Sequence, residues 1–370
     1  MSKNVLVIVF VSILSLLSST ASGQTKKVVR QKQVPKQQVP VTTEKSRGSQ
    51  YSFQSIGWAN PFKEGLSMVE SRSMRAFGFV DKIGKIIIYR PSQVSLRSDF
   101  SDGYAMVMDN KDNYGYIDKT GKIVIACRWK YAEKFSEGLA MVEDDNEKKG
   151  YIDKKGNLVI PCKWKAASSF SEGLAKVAFD DGSHGFIDKT GKIVIHFKEQ
   201  VLYYWPTDFK EGIATYRGKF IDKEGKVIPC PFEARSGFSE GLAMVSDGNN
   251  QCGFVDKSFK LVIPCKWKYN SEMVFHDGRA RIRDKEGRCG FIDKSGKIVI
   301  PCKWHDAQSF CEGLALVKDE DGKYGFIDIE GNLISPCKWN FAHSFSEGLA
   351  WVEDSRDNWH IIDRAGRIVK

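Results

Sequence analysis

Residues 135–169 read FSEGLAMVEDDNEKKGYIDKKGNLVIPCKWKAASS, and variants of this stretch fill most of the chain. It opens with the motif Phe-x-acid-Gly, in which x is any residue. Copies of this motif begin at Phe62, Phe100, Phe135, Phe170, Phe209, Phe238, Phe275, Phe310 and Phe345. Neighbouring copies are commonly 35 residues apart, and such internal periodicity indicates a repeat architecture.

Each copy predicts three short β-strands, which in this copy are 138–142, 150–153 and 158–164. The second and third strands are joined by Asp153-Lys-Lys-Gly156, which has the chemistry of a tight turn. Asp accepts hydrogen bonds from the turn backbone, and Gly adopts a positive φ. The flanking residues are β-branched or aromatic, as strands favour. Beyond the first residues no stretch has helical periodicity, so the sequence predicts an all-β repeat protein.

The repeat is compatible with two architectures. One unit is too small to bury a core alone, so its stability must come from its neighbours. Nine blades exceed the usual four to eight of a propeller, whose blades usually have four strands. We therefore predict an open β-solenoid, or superhelix, of nine three-stranded units of about 35 residues. A closed, propeller-like ring is the alternative, because the array starts near Ile56 at the end of one unit and stops inside a third strand.

The third strand supplies a predicted core face. In a strand, alternate residues share a face, so Ile123, Ile125, Cys127 and Trp129 should be buried together against the next unit. The tryptophan recurs at this place as Trp129, Trp164, Trp267, Trp304 and Trp339. These five are expected to form an internal aromatic row.

The run YGYIDKTGKIVI, residues 114–125, is followed by Lys-Trp and by Phe-Ser-Glu-Gly-Leu-Ala, and this pattern resembles the WG-repeat (KWG-repeat) family. The similarity covers about residues 56–370. The family's Trp-Gly dipeptide appears here as another residue followed by Gly, and Lys219 and His360 replace that Gly in two copies. The resemblance implies a repeat array. It brings no catalytic residues, and most similar proteins are bacterial and of unassigned role.

The start of the chain predicts export. Residues 1–23 combine Lys3, an apolar run and small residues before Gln24, which is typical of a cleaved signal peptide. The apolar run is too short to span a bilayer comfortably. We predict a signal peptide at 1–23, a basic flexible linker at 24–50 and the repeat array at 51–370. The mature protein is expected in the periplasm, on the cell surface or outside the cell, with no transmembrane segment after signal removal.

The net charge of +10 is concentrated near the N-terminus. Residues 24–50 contain seven basic residues and one acidic residue in a Gln-, Val- and Pro-rich context. The repeat body is close to neutral. A nucleic-acid-binding body should be strongly basic on one face, so no nucleic acid is expected as a partner of the repeats.

The nine cysteines are expected to be mainly buried free thiols that act as small hydrophobic groups. An odd number leaves at least one thiol unpaired in a monomer, and the absence of Cys-x-x-Cys argues against zinc-knuckle and thioredoxin-like sites. Six recur at one repeat position: Cys127, Cys162, Cys230, Cys265, Cys302 and Cys337. The best candidate for a disulfide is Cys252 with Cys289, which share another repeat position.

A nine-fold series of acidic residues lies in the Phe-x-acid-Gly motifs: Glu64, Asp102, Glu137, Glu172, Glu211, Glu240, Asp277, Glu312 and Glu347. No loop has the spacing of a known calcium site, so turn capping and pairing with recurrent lysines such as Lys163 are the preferred interpretation. No His-Glu-x-x-His or Gly-x-Ser-x-Gly motif occurs. We predict no catalytic, cofactor-binding or metal-binding residues, no cofactor and no enzymatic activity.

These features predict a non-catalytic exported scaffold that binds a protein or peptide, since repeat arrays offer long surfaces. The alternative is binding of a carbohydrate or envelope glycan. In that case Tyr203, Tyr204 and Trp205, which interrupt the repeat, are the candidate ligand-binding residues. A purely structural envelope role is the third hypothesis.

Overall fold

The computed structural model describes residues 56–71, 76–90, 94–198, 205–249, 251–354 and 358–369. These residues form 34 β-strands in nine antiparallel sheets. Within these ranges no helix is long and apolar enough to cross a membrane. The predicted signal peptide (1–23) and linker (24–50) lie outside the described residues, as do Tyr203 and Tyr204.

We number the sheets one to nine along the chain. Sheets one to three contain β1 (Ile56–Ala59), β2 (Ser67–Ser71), β3 (Ala76–Val80), β4 (Ile86–Arg90), β5 (Val94–Leu96), β6 (Ala105–Asp109), β7 (Tyr114–Ile117), β8 (Ile123–Trp129), β9 (Tyr131–Ala132), β10 (Leu139–Glu143), β11 (Lys149–Asp153) and β12 (Leu158–Trp164). Sheets four to six contain β13 (Ala166–Ala167), β14 (Leu174–Ala178), β15 (His184–Asp188), β16 (Ile193–Phe197), β17 (Ala214–Tyr216), β18 (Lys219–Ile221), β19 (Val227–Ile228), β20 (Glu233–Ser239), β21 (Leu242–Ser246), β22 (Gln251–Val255) and β23 (Leu261–Lys268). Sheets seven to nine contain β24 (Phe275–His276), β25 (Arg279–Arg283), β26 (Cys289–Ile292), β27 (Ile298–Trp304), β28 (Asp306–Ala307), β29 (Leu314–Lys318), β30 (Tyr324–Asp328), β31 (Leu333–Trp339), β32 (Phe341–Ala342), β33 (Leu349–Glu353) and β34 (Trp359–Asp363).

Seven of the nine described sheets have four strands, so the prediction of three strands per unit is wrong. We call the strands a to d in chain order, which is also their order across each sheet; the predicted three are b, c and d. Strand a has only two residues in several sheets. Ala166–Ala167, for example, is a strand only because it pairs with strand b, where Ala166 lies opposite Ala178. Two residues are too few to show a period-two pattern, which is why the sequence does not reveal them.

The nine sheets close into a ring. An open array of nine units has eight interfaces, but here nine apolar clusters each join two successive sheets. The ninth cluster packs Phe62 and Val80 of sheet one against Trp351 and Ile361 of sheet nine. The predicted open β-solenoid is therefore wrong. The alternative is confirmed: the fold is a nine-bladed β-propeller, and each sheet is a blade. A repeat pattern specifies contacts between neighbours but not the angle between them, so closure is invisible in sequence.

One aromatic contact recurs between blades. Phe135, the first residue of its Phe-x-acid-Gly motif, is fully buried and lies edge-on to Tyr116 of the preceding blade at 4.8 Å between ring centroids. Burial of such a ring contributes about 1.5–3 kcal/mol, and the aromatic pair adds about 0.5–1.5 kcal/mol. The equivalent pairs are Phe79–Phe100, Tyr116–Phe135, Tyr151–Phe170, Phe186–Phe209, Phe220–Phe238, Phe254–Phe275, Phe291–Phe310 and Phe326–Phe345.

The closing interface between blades nine and one has a different aromatic contact. Strand c of blade nine carries Ile361 where the other blades carry Phe or Tyr. Trp351, at the strand-b position of Met141, supplies the missing ring. It stacks on Phe62 at 6.0 Å and 3° between ring planes, and its Nε1 donates a hydrogen bond to Ser67 Oγ at 2.8 Å.

The recurrent tryptophans are core residues, as predicted, apart from Trp267, which is half-buried. They do not form a row, because each belongs to the interface of a different pair of blades. Trp129, for example, packs with Phe135, whereas Trp164 packs with Phe170. The lysine before the tryptophan covers the indole ring: Lys163 Nζ lies 4.6 Å from the centroid of Trp164.

The glycine of the X-Gly dipeptide is needed because strand d passes very close to strand c. A Cβ atom on Gly150 would lie 2.6 Å from Ile160 O and 2.8 Å from Cys162 Sγ, where the strand pairing is irregular. In blade five strand d is only Val227–Ile228, and in blade nine it is reduced to one bridge at Ile368. Those are the blades in which Lys219 and His360 replace the glycine.

The Gly150→Ala substitution should lower the free energy of unfolding by about 1–3 kcal/mol, because the added methyl group overpacks the contact between strands c and d. Lys219→Ala is the matched control, since strand d does not cover that position, and it should change stability by less than about 0.5 kcal/mol. Urea unfolding followed by circular dichroism measures both. Equal stability of the two variants would contradict the explanation.

The Trp351→Met substitution should destabilise the ring by about 2–4 kcal/mol, because it removes the ring contact with Phe62 and the buried hydrogen bond to Ser67. The double variant Trp351→Met/Ile361→Phe rebuilds the contact used at the other eight interfaces and should recover much of this loss. Thermal unfolding of the two variants tests this. A double variant no more stable than the single one would show that the interfaces are not interchangeable.

Candidate functional site

The Phe-x-acid-Gly motifs form the turns between strands a and b. Glu137 and Gly138 have φ values of 53° and 86°, the two positive values of a type I′ hairpin turn. All nine acidic residues of the series have φ between 50° and 56°. Glutamate is uncommon in this left-handed conformation, so contacts from outside the turn must compensate for the strain.

The compensating contact comes from the next blade. Glu137 accepts a hydrogen bond from the backbone N–H of Gly173 at 3.0 Å, and Glu347 accepts one from Gly65 at 2.8 Å, which closes the circle. The nine links, which we call the carboxylate rim, are Glu64–Gly103, Asp102–Gly138, Glu137–Gly173, Glu172–Gly212, Glu211–Gly241, Glu240–Gly278, Asp277–Gly313, Glu312–Gly348 and Glu347–Gly65. Each acidic side chain thus caps its neighbour's turn.

Lysines of the turns between strands c and d complete the rim. Lys189 Nζ lies 3.0 Å from Glu137 Oε2 and also donates to the Glu137 carbonyl. The equivalent pairs are Lys82–Glu347, Lys119–Glu64, Lys189–Glu137, Lys223–Glu172, Lys257–Glu211 and Lys294–Glu240. Pairing of the acids with lysines is confirmed. The prediction named the wrong lysine series, since Lys163 and its equivalents lie over tryptophan rings instead.

Four of the rim carboxylates have a pKa that these partners lower. Partial burial tends to raise the pKa of Glu137, but hydrogen bonds from Lys189 and from Gly173 N–H outweigh it and leave the pKa below its ordinary value. The pKa values of Glu172, Glu240 and Glu347 are lowered by the same balance. These four carboxylates are therefore charged at neutral pH, and they are engaged with the protein itself. The described residues contain no group of side chains arranged to hold a metal ion.

Strand a forms the inner edge of every blade except blade five, in which the described residues form no strand a. One carboxylate spans the gap between neighbouring a–b turns, so these turns lie close together around the axis. The charge of Asp99 in blade two also affects the pKa of His343 in blade nine, although blade one lies between these two blades. Burial lowers the pKa of His343, while a hydrogen bond with Ala59 and the charge of Asp99 oppose that effect. Strand d, at the other edge of the sheet, therefore faces outwards.

The outer strands expose aliphatic side chains in eight blades. We call these residues the outer belt: Ile87, Leu158, Val159, Ile193, Val194, Val227, Val262, Ile298, Leu333 and Ile368, each between 37% and 52% exposed. In blade seven, Lys297 precedes Ile298, and Pro301 and Lys303 follow it on the exposed side of the strand. In this blade the exposed aliphatic side chain of the belt thus lies between two exposed lysines.

Three interfaces carry a second feature, an aromatic pair that is partly open to solvent. In each pair, one residue lies on strand c, directly before the glycine of the X-Gly dipeptide. The other residue lies four positions before the Phe of the next Phe-x-acid-Gly motif. These inter-blade aromatic pairs are Tyr114–Tyr131, His184–Trp205 and Tyr324–Phe341, with ring centroids 5.5, 6.4 and 6.0 Å apart. The exposed member is Tyr131, Trp205 or Phe341. Both positions follow from the repeat, so aligning the nine units would have revealed them.

Of the predicted ligand-binding residues, Trp205 lies in one of these pairs and is 44% exposed, while Tyr203 and Tyr204 fall outside the described residues. Cys252 and Cys289 are buried free thiols. Cys252 lies in the interface between blades six and seven, and Cys289 in the one between blades seven and eight. Their pairing stays a prediction, and their placement on opposite sides of blade seven argues against it.

A serine, a histidine and an aspartate meet in blade four. Ser183 Oγ donates to Asp181 at 2.6 Å and lies 3.0 Å from His196 Nε2. The serine is 1% exposed, and its hydroxyl proton is directed to the carboxylate rather than to the imidazole. The arrangement stabilises the turn between strands b and c and does not present a nucleophile to a substrate.

Protonation of the rim glutamates should appear in the pH dependence of stability. Because the folded pKa values of Glu137, Glu172, Glu240 and Glu347 are depressed, their contribution is complete above the ordinary glutamate pKa of about 4.3 and is lost as the pH falls through the folded values. Replacing all four by Gln should flatten the fall in unfolding free energy below about pH 4.5. Glu330→Gln, on the same face but outside the rim, is the control. An unchanged slope in the quadruple variant would contradict the assignment.

The repeats match a known protein family. The WG containing repeat matches residues 114–147, 150–181, 185–199, 253–289, 290–324 and 324–359, together more than half of the chain. No curated protein matches the chain.

Several solved structures are similar in fold. BamB from Moraxella catarrhalis is 10% identical, with 83% of this chain and 96% of that chain covered and a TM-score of 0.43. Apo AztD from Citrobacter koseri is 12% identical, with 80% and 90% covered and a TM-score of 0.39. Virginiamycin B lyase from Staphylococcus aureus is 14% identical, with 84% and 94% covered and a TM-score of 0.32. Similarities this low carry no argument about function, whereas the in-phase family matches show that this chain belongs to the WG-repeat family.

Proposed function

We propose that this chain is an exported, non-catalytic scaffold that binds a protein or peptide partner through the outer belt. The observation that carries the proposal is the repetition of exposed aliphatic residues on strand d in eight blades. An exposed apolar side chain at the same place in eight blades favours an interaction surface, because its exposure to water is unfavourable until a partner covers it.

The chemistry around the belt favours an acidic, partly apolar segment as the partner. In blade seven the exposed side chain of Ile298 lies between Lys297 and Lys303, and Lys260 and Lys266 flank Val262 in the same way in blade six. Apolar side chains of the partner would cover the aliphatic row, and its carboxylates would meet the lysines on either side. Such charge pairs at the rim of an interface mainly increase the rate of association and the specificity.

The belt binds through side chains rather than by strand addition. Pro161, Pro264, Pro301 and Pro336 occupy the middle of strand d in four blades. Proline has no backbone N–H, and proline and lysine on an edge strand discourage pairing with another strand. In these four blades the arrangement disfavours pairing of the exposed sheet edge with another strand and leaves the aliphatic side chains available.

Two further features support a non-catalytic, exported role. The rim carboxylates, the most regular set of reactive groups in the described ring, are engaged by glycine N–H groups and lysines of the neighbouring blade. The N-terminal 23 residues have the pattern of a signal peptide, and a mature protein starting at Gln24 in the envelope or medium fits this function.

The test is a pull-down from the native envelope with the purified chain and the double variant Ile298→Ser/Leu333→Ser. The matched control is Ile83→Ser, which changes an isoleucine that is 64% exposed but lies outside the belt. We expect a partner that is captured by the wild type and by the control and is depleted at least about tenfold by the belt variant, with weaker capture at high salt. Equal capture by both variants would exclude the belt as the binding surface.

A further inference from the structure

The pair His184–Trp205, between blades four and five, has a more elaborate environment than the other two aromatic pairs. Trp205 is 44% exposed, and its ring stacks on His184 at 6.4 Å and 22° between planes. His184 is only 4% exposed and has Tyr216 edge-on at 5.4 Å, with Phe197 at the same distance. The exposed indole is therefore a flat apolar platform that lies against a buried imidazole, which is itself packed by two partly buried rings.

An ion pair lies beside this platform. Lys176 Nζ is 6.0 Å from the centroid of the Trp205 ring and 3.0 Å from Asp208 Oδ1. Lys176 occupies the strand-b position that Met141 and Met244 occupy in blades three and six. A lysine thus replaces a core methionine at an interface that also has an exposed tryptophan. The ammonium group provides hydrogen-bond donors and the carboxylate provides acceptors.

The buried imidazole adds an unused polar atom. His184 Nε2 is buried and has no hydrogen-bond partner in the described structure. Burial, followed by the charge of His196, lowers the pKa of His184, so the ring is neutral near pH 7. A buried polar atom without a partner costs stability, and a hydroxyl group or a bridging water would satisfy it.

We propose that the Trp205 platform binds a pyranose unit of a neutral saccharide, at a site separate from the outer belt. A pyranose ring has a face of C–H groups that packs on an indole and hydroxyl groups at its edge that bond to donors and acceptors such as Lys176 and Asp208. The ion pair is internally balanced and the imidazole is uncharged. This favours an uncharged sugar over an anionic one.

The repetition of the aromatic pair extends the proposal to a polymer. Tyr114–Tyr131 and Tyr324–Phe341 occupy the same two repeat positions as His184–Trp205. Lys318 Nζ lies 5.1 Å from the Tyr324 ring, so a cation is close to that pair as well. Sites linked through one polymer bind with a higher effective concentration, so a long neutral glycan should bind more tightly than its monosaccharide.

Affinity electrophoresis tests the proposal with the purified chain in gels that contain hydroxyethylcellulose, laminarin, glucomannan or dextran, and with polygalacturonate as an anionic comparison. At least one neutral polymer should retard the wild type. Trp205→Ala should weaken that binding about tenfold, the effect of losing about 1.4 kcal/mol. Tyr269→Ala is the matched control, because Tyr269 is 43% exposed but belongs to none of the three pairs, and it should bind as the wild type does.

Lys176→Met separates a binding role from a structural one. Methionine is the residue of other blades at this position, so the variant should unfold at a temperature no lower than the wild type and yet lose saccharide affinity. The belt variant Ile298→Ser/Leu333→Ser should keep its affinity for the saccharide. A failure of the belt proposal can therefore be distinguished from a failure of the saccharide proposal. The saccharide proposal is overturned if no neutral polymer retards the wild type, if polygalacturonate alone does so, if Trp205→Ala and Tyr269→Ala behave alike, or if Lys176→Met binds normally.

Discussion

At eight of the nine interfaces, the contact between the buried Phe of one turn and the aromatic ring on strand c of the preceding blade holds the ring together. A blade has two faces and no core of its own, so nearly all of its apolar burial comes from its two neighbours. Phe135 illustrates this, since it belongs to blade three but packs against Tyr116 of blade two. Loss of this contact at one interface removes support from the blades on both sides.

The carboxylate rim combines local strain with long-range order. Glu137 adopts a backbone conformation that is unfavourable for a glutamate, and its carboxylate reaches the N–H of Gly173 and the ammonium group of Lys189. The link from Glu347 to Gly65 repeats this contact between residues far apart in the sequence. These contacts offset the backbone strain of the turn and set the spacing of neighbouring blades.

The two candidate binding surfaces differ in chemistry because they occupy different parts of the blade. The outer belt lies on strand d, where an irregularity in the pairing with strand c separates Ile298, which is exposed, from Ile300, which lies in the core. The aromatic pairs lie between blades, where strand c of one meets the segment that precedes the Phe-x-acid-Gly motif of the next. A departure from the repeat marks the most elaborate pair: Lys176 replaces methionine beside Trp205. An extended protein segment suits the belt, and a compact ring suits the platform.

The amino-acid sequence by itself determined the repeat, the three longer strands, the turn chemistry and the buried face that ends in Trp129, because these depend on patterns within about 35 residues. It also singled out Trp205. Tertiary structure decided strand a, which has too few residues for a pattern, and the partners of the rim acids, which lie on another blade. Tertiary structure also decided that the array closes into a ring. The angle between neighbouring units depends on how their side chains pack, and the repeat pattern does not specify that angle.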